Sequence, residues 1–131
     1  MEISRNNHPG IYPAGPTYVR SIKAGTTLYI SGTTARNSSA EQDMAQLDVI
    51  LDRITRIVNA EGGKASDIVS MTTYVTDMSK FWPIEGEQKR IWENHFPEGF
   101  PTNSYVEVRA LAEPELTVEI TTVAICNQNP G

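Results

Sequence analysis

At 131 residues the chain has room for one domain, 1–131, and with 39% apolar residues it can bury a core without disulfides or a structural metal. A net charge of -5 with no run of Lys or Arg disfavours a nucleic-acid groove or a polybasic membrane patch. The single cysteine, Cys126, excludes an internal disulfide, and no stretch has the apolar length of a signal peptide or a membrane span, so a soluble cytoplasmic chain is the simplest expectation.

Residues 11–16 carry Pro13, Gly15 and Pro16 and lead into Tyr18-Val19-Arg20-Ser21-Ile22-Lys23, which reads as a strand. Ala24-Gly25 then turns the chain into Thr27-Leu28-Tyr29-Ile30-Ser31, closing a hairpin. After Gly32 a polar loop runs to Ser39, a candidate N-cap with Gln42 in the capping-box position. Between Ala40 and Glu61 the residues Met44, Leu47, Ile50, Leu51, Ile54, Ile57 and Val58 recur every three or four positions, which predicts a helix with one apolar stripe. Gly62-Gly63 stops it.

Ile68 to Val75 is β-branched and aromatic and reads as a strand returning beside the first hairpin, so strand, helix and strand suggest a βαβ crossover. Ser79 is a candidate cap for a second helix over Phe81 to Asn94, with Pro83 in its first turn. The loop from Phe96 to Pro101 leads to two tail segments, Asn103 to Val108 and Val118 to Ala124. Separated by Ala112-Glu113-Pro114-Glu115, they are expected to pair as antiparallel strands. The predicted order is β-β-α-β-α-β-β, an α+β fold with a mixed sheet and both helices on one face. The other face lacks cover, and Tyr18, Tyr29, Tyr74 and Tyr105 offer it more aromatic surface than a solvated face needs. We therefore expect an oligomer with pockets between subunits.

Several short pieces in fixed order carry a family resemblance. They are Lys23-Ala24-Gly25 before Leu28-Tyr29-Ile30-Ser31-Gly32, Asp67-Ile68-Val69 with Thr72-Thr73-Tyr74-Val75, Asp77-Met78, Phe81, the run Pro101 to Val108, and Val118-Glu119-Ile120. Over nearly its whole length the chain resembles the Rid family of reactive-intermediate or imine deaminases, also called YjgF-like proteins. The resemblance implies a chorismate-mutase-like fold, a homotrimer with a small-molecule site in each intersubunit cleft, and hydrolysis of enamines and imines to 2-oxo acids and ammonia without metal or organic cofactor. By the same resemblance Glu119 places the attacking water, Tyr18 lines the pocket, and Ser31 and Gly32 complete it. Asn103 stands where the best-known members carry the arginine that grips the substrate carboxylate, and Thr33 and Tyr105 replace a glutamine and a cysteine.

Asparagine cannot balance a carboxylate charge. A charged bidentate contact is worth about 1.5 to 3 kcal/mol against about 1 for a neutral one, so small 2-imino acids should bind roughly tenfold more weakly or worse. Arg20, two residues beyond Tyr18 and on its face of an extended strand, is a candidate substitute charge; it reads equally as a residue that pairs with a surface carboxylate or packs its stem at the interface. Arg109 shares the alternation of Asn103 and Tyr105 at the far end of its strand and reads as a surface residue. The expected function is water addition to an enamine, imine or related C–N intermediate other than the usual small 2-imino acids. The alternative is a non-catalytic trimer that binds a metabolite or a partner. A nuclease role is opposed by the acidic charge.

Other features point to packing. His8 and His95 have no ligands at metal spacing, Gly62-Gly63 lacks the rest of a phosphate loop, and Ser31 with either histidine makes no triad by spacing. Trp82 and Trp92 share no helix face and read as packing residues, as Cys126 reads as an unreactive thiol.

Overall fold

The computed structural model describes residues 1–126. Its elements are β1 (Ile3–Asn6), β2 (Ser21–Ala24), β3 (Thr27–Thr33), α1 (Asp43–Ala60), β4 (Ile68–Val75), α2 (Gly86–His95), β5 (Thr102–Glu107) and β6 (Val118–Ile125), with short 3-10 turns at Ala65–Asp67 and Met78–Lys80. They form one six-stranded sheet in the order β1-β2-β3-β6-β4-β5.

The β2–β3 hairpin is present, with Ser21 opposite Ile30 and Ala24 opposite Thr27, and Gly25 turns it at a φ of 61°. Two expected pairings are replaced. The tail strands do not pair: β5 runs parallel to β4, and β6 is antiparallel to both β3 and β4, lying between them. The short connection that suggested a hairpin carries the chain past β4. Because β3 and β4 both oppose β6, they are parallel to each other, and β3-α1-β4 is a crossover with one strand inserted. The second crossover, β4-α2-β5, joins direct neighbours.

The helix starts also move inward. α1 starts at Asp43, with Gln42 at the cap and no side-chain cap bond, so the Ser39 capping box does not form. The second helix starts at Gly86. Pro83 lies before it, in a stretch introduced by Asp77, whose carboxylate accepts from the Ser79 backbone N–H at 3.1 Å. β1 is an additional strand; its Ile3 is half exposed at the sheet edge, where alternation gives no signal.

The predicted stripe of α1 is the core. Leu47, Ile50, Leu51, Ile54, Ile57 and Val58 are buried against Leu28 and Ile30 of β3, Met71 and Val75 of β4, and Ile120 and Ala124 of β6. Each such side chain contributes about 1.5–3 kcal/mol by leaving water. Along β4 and β6 burial alternates, which assigns Met71, Thr73, Val75, Ile120 and Thr122 to the helix-covered face. Ile22, Tyr29, Thr72, Tyr74, Glu119, Thr121 and Val123 line the opposite, uncovered face. Tyr105 departs from the expectation. Paired with Thr73, it points to the helices, whereas Tyr29 and Tyr74 lie on the open face.

Candidate active site

Glu119 is the second residue of β6, a carboxylate flanked by buried Val118 and Ile120. It is accommodated because β3 offers a glycine beside it. A Cβ on Gly32 would overlap the Glu119 carboxylate, and even the carboxyl carbon would lie only 2.8 Å away. Partial burial pushes the Glu119 carboxyl above the usual carboxylate range, and the Arg20 guanidinium opposes that shift. A carboxylate destabilised by burial and held against a backbone is a suitable proton acceptor for water.

Arg20 is the second component. Tyr18 to Arg20 form irregular chain ahead of β2, so the strand expected from Tyr18 begins only at Ser21. Ser31 fixes this segment to β3: its hydroxyl donates to the Val19 carbonyl at 2.6 Å and its N–H to the Arg20 carbonyl at 3.0 Å. Arg20 is fully buried and pairs with no carboxylate among the described residues. Its Nη1 donates to the Gly32 carbonyl at 3.1 Å, and its guanidinium lies 4.7 Å from the Tyr12 ring centroid and 5.5 Å from that of Tyr18. Nε and Nη2 have no hydrogen-bond partner among the described residues, although buried donors are nearly always satisfied. Gly32 therefore joins the two charges, with the cation bonded to its carbonyl and the carboxylate packed on its Cα.

Tyr18, half exposed, packs on Gly15 and borders a cavity of about 620 Å³ with Ile22, Tyr29 and Ser31. Thr33 is fully buried, and its hydroxyl donates to the Ser31 carbonyl at 2.9 Å, so its reach to the cavity is through Ser31. Tyr18, Arg20, Ser31, Gly32 and Glu119 thus form one cluster.

Asn103 and Tyr105 form another. In β5 Asn103 pairs with Met71 and Tyr105 with Thr73, placing both on the helix-covered face. Glu119 pairs with Tyr74 on the other face, three residues farther along β4, or about 10 Å. Asn103 Oδ1 accepts from the Thr73 hydroxyl at 3.0 Å. The Tyr105 hydroxyl donates to Gln88 at 2.6 Å and accepts from the Trp92 indole at 2.9 Å; burial raises its pKa to about 12. Trp82 and Trp92 both set ring edges against Tyr105, at 5.9 and 6.5 Å. The tryptophans ten positions apart meet through this third ring, a contact that helix periodicity does not reveal. Arg109 lies beyond the end of β5 and is exposed.

Within one chain the two clusters lie on opposite faces of the sheet. Among the described residues no three His, Cys, Asp or Glu side chains converge to hold a metal ion, and no helix is long and apolar enough to cross a membrane. Cys126 is buried against Gly63 and Val58, and burial pushes its thiol up, away from the reactive range.

The endoribonuclease L-PSP family profile matches residues 10–126 of the chain. The chain belongs to this family, the YjgF/RidA proteins. A 2-iminobutanoate/2-iminopropanoate deaminase of Salmonella typhimurium is 30% identical over 127 residues, covering 94% of this chain and 95% of that one. A RutC family protein of Sulfurisphaera tokodaii is 31% identical over 121 residues, covering 88% and 90%. The crystal structure of Rv2704 from Mycobacterium tuberculosis, a YjgF/YER057c/UK114 family member, superposes with a TM-score of 0.79 at 28% identity over 95% of this chain and 99% of that one. The Rid resemblance and the mixed-sheet α+β fold are thereby established, and the family function is of the imine-deaminase type.

Proposed function

We propose that the protein hydrolyses the C–N bond of imine or enamine intermediates in clefts completed by neighbouring copies in a homotrimer. The observation that carries this reading is the Glu119 carboxylate, desolvated on Gly32 beside a buried guanidinium with unused donors. A water between Glu119 and the imine carbon loses a proton to the carboxylate as its oxygen forms the new C–O bond. Glu119 returns that proton to nitrogen, giving a carbinolamine, then takes the hydroxyl proton and passes it to the amino group, so that the C–N bond breaks and ammonia leaves as the C=O bond forms. Imine and water thus become carbonyl compound and ammonia, with no redox change and no cofactor required. An enamine enters the same course after tautomerising to the imine.

The opposite-face placement of the two clusters supports a shared cleft. A ligand touching both Glu119 and Asn103 needs the Glu119 cluster of one copy and the Asn103 cluster of the next, and the uncovered aromatic face supplies a surface for such packing. Asn103 in place of the arginine directs the site away from the usual small 2-imino acids. The same substitution favours the second reading, a trimer that binds a metabolite without turning it over.

The test generates 2-imino acids in situ with an amino-acid oxidase and follows their decay with the protein, with Glu119→Gln and with Asn103→Arg. The hydrolase reading predicts faster decay with the protein, none with Glu119→Gln, and a gain on the smallest imines with Asn103→Arg. No acceleration of any imine by either the parent protein or Asn103→Arg would favour binding without chemistry.

A further inference from the structure

Beside Asn103 a cavity of about 290 Å³ is lined by Ile84, Lys89, Trp92, Phe100, Pro101 and Asn103. Four of these walls are apolar, and the Tyr105 hydroxyl, which donates to Gln88 and accepts from Trp92, has no proton left to donate to a ligand. Asn103 is held by the Thr73 hydroxyl through Oδ1, which leaves its Nδ2 donor without a partner among the described residues. Lys89 lies three residues before Trp92 on α2 and so shares its face. Its ammonium makes no ion pair or hydrogen bond among the described residues. An unpaired cation and an unpaired amide donor at one apolar cavity match an anion attached to an apolar body.

We propose that Lys89 Nζ and Asn103 Nδ2 take the substrate carboxylate between them, and that Ile84, Trp92 and Phe100 take its side group. The preferred substrates are then imine or enamine acids with aromatic or bulky apolar side chains. This rests on the hydrolase reading for the reaction, but not for the binding. Lysine provides the charge and asparagine the second hydrogen bond, dividing between two side chains what an arginine fork does alone. A small side group leaves the apolar walls unfilled, and a neutral ligand leaves the lysine unused.

Titration calorimetry on the full chain with stable oxo-acid probes reads the binding directly. Phenylpyruvate is expected to bind at least about tenfold more tightly than pyruvate. Lys89→Met should weaken phenylpyruvate about tenfold while leaving neutral 3-phenylpropanamide unchanged, and Phe100→Ala should weaken both phenyl ligands. Lys89 and Phe100 are exposed, so both variants should fold. Equal affinity for pyruvate and phenylpyruvate, or no effect of Lys89→Met, overturns the assignment. Turnover of the imine of phenylalanine is measured separately. The predicted binding pattern without turnover removes the hydrolase reading but upholds the pocket, whereas turnover of small and aromatic imines with equal efficiency keeps the hydrolase and removes the proposed selectivity.

Discussion

Replacing Gly32 by alanine perturbs the site without touching any side chain that carries chemistry. An added Cβ would stand 2.8 Å from the Glu119 carboxyl carbon, and ordinary contact begins at 3.4 Å. The carbon must therefore retreat by about 0.6 Å and the nearer oxygen farther, a displacement of the size that costs about 100-fold when a reacting group is misplaced. The far end of a flexible side chain can move cheaply, and Gly32 has no positive φ to strain, so the fold should survive. Arg20 Nη1 keeps its bond to the Gly32 carbonyl, because substitution leaves the backbone unchanged. Gly32→Ala should lower kcat/KM for imine hydrolysis about 100-fold while circular dichroism gives a melting temperature within a few degrees of the parent. Undiminished kcat/KM in a correctly folded Gly32→Ala protein would show that the carboxylate does not act from its place on Gly32.

Three further outcomes follow from charge and packing. Removing the Arg20 charge with Arg20→Gln lets burial push the Glu119 carboxyl higher; since the base form is the active one, the acid limb of the kcat profile should move toward neutral pH, and an unmoved limb would detach Arg20 from Glu119. His8 lies 2.8 Å from the Ser21 hydroxyl and 3.7 Å from Glu61, and burial lowers its pKa below 6.5 against the pull of Glu61. A depressed histidine stabilises the fold above its unfolded pKa and loses that contribution as pH falls, so the parent should lose melting temperature relative to His8→Gln below about pH 6.5; parallel curves would contradict this. A Cβ on Gly63 would meet Cys126 Sγ at 2.7 Å and Val58 Cγ1 at 2.9 Å, so Gly63→Ala should cost about 1–3 kcal/mol in denaturant unfolding, and an unchanged midpoint would show slack in this corner of the core.

Sequence periodicity was sufficient for α1 because its stripe is a local property: Leu47 through Val58 repeat at helical spacing and bury as one face. Strand partners are not local. Nothing between Val108 and Val118 tells the chain to place β6 beyond β4, and that choice takes Asn103 and Glu119 from directly paired strands to the two sides of β4, on opposite faces of the sheet. Alternation correctly groups Asn103 with Tyr105 but cannot say which face is covered. The importance of Tyr18, Ser31, Gly32 and Glu119 came from resemblance, and the structure adds their grouping around the Gly32 backbone. Sequence alternation offers Arg20 as a candidate charge, but its burial between Tyr12 and Tyr18 depends on an irregular segment whose path no pattern predicts. An exposed helix lysine such as Lys89 is ordinary in sequence; only its place on the same cavity as Trp92 and Asn103 distinguishes it.

The cleft shared between copies is the claim on which the account most depends, and mixing two inactive variants tests it. Glu119→Gln disables one cluster, and Asn103→Asp puts a negative charge in the other, where a carboxylate should bind. Co-refolded at equal amounts, the two chains assemble at random, and a cleft built from adjacent copies is intact in about a quarter of cases. The account predicts that the mixture recovers roughly a quarter of parental imine hydrolysis. Activity no greater than that of the separate variants, with mixed assembly confirmed by native mass spectrometry, would contradict it.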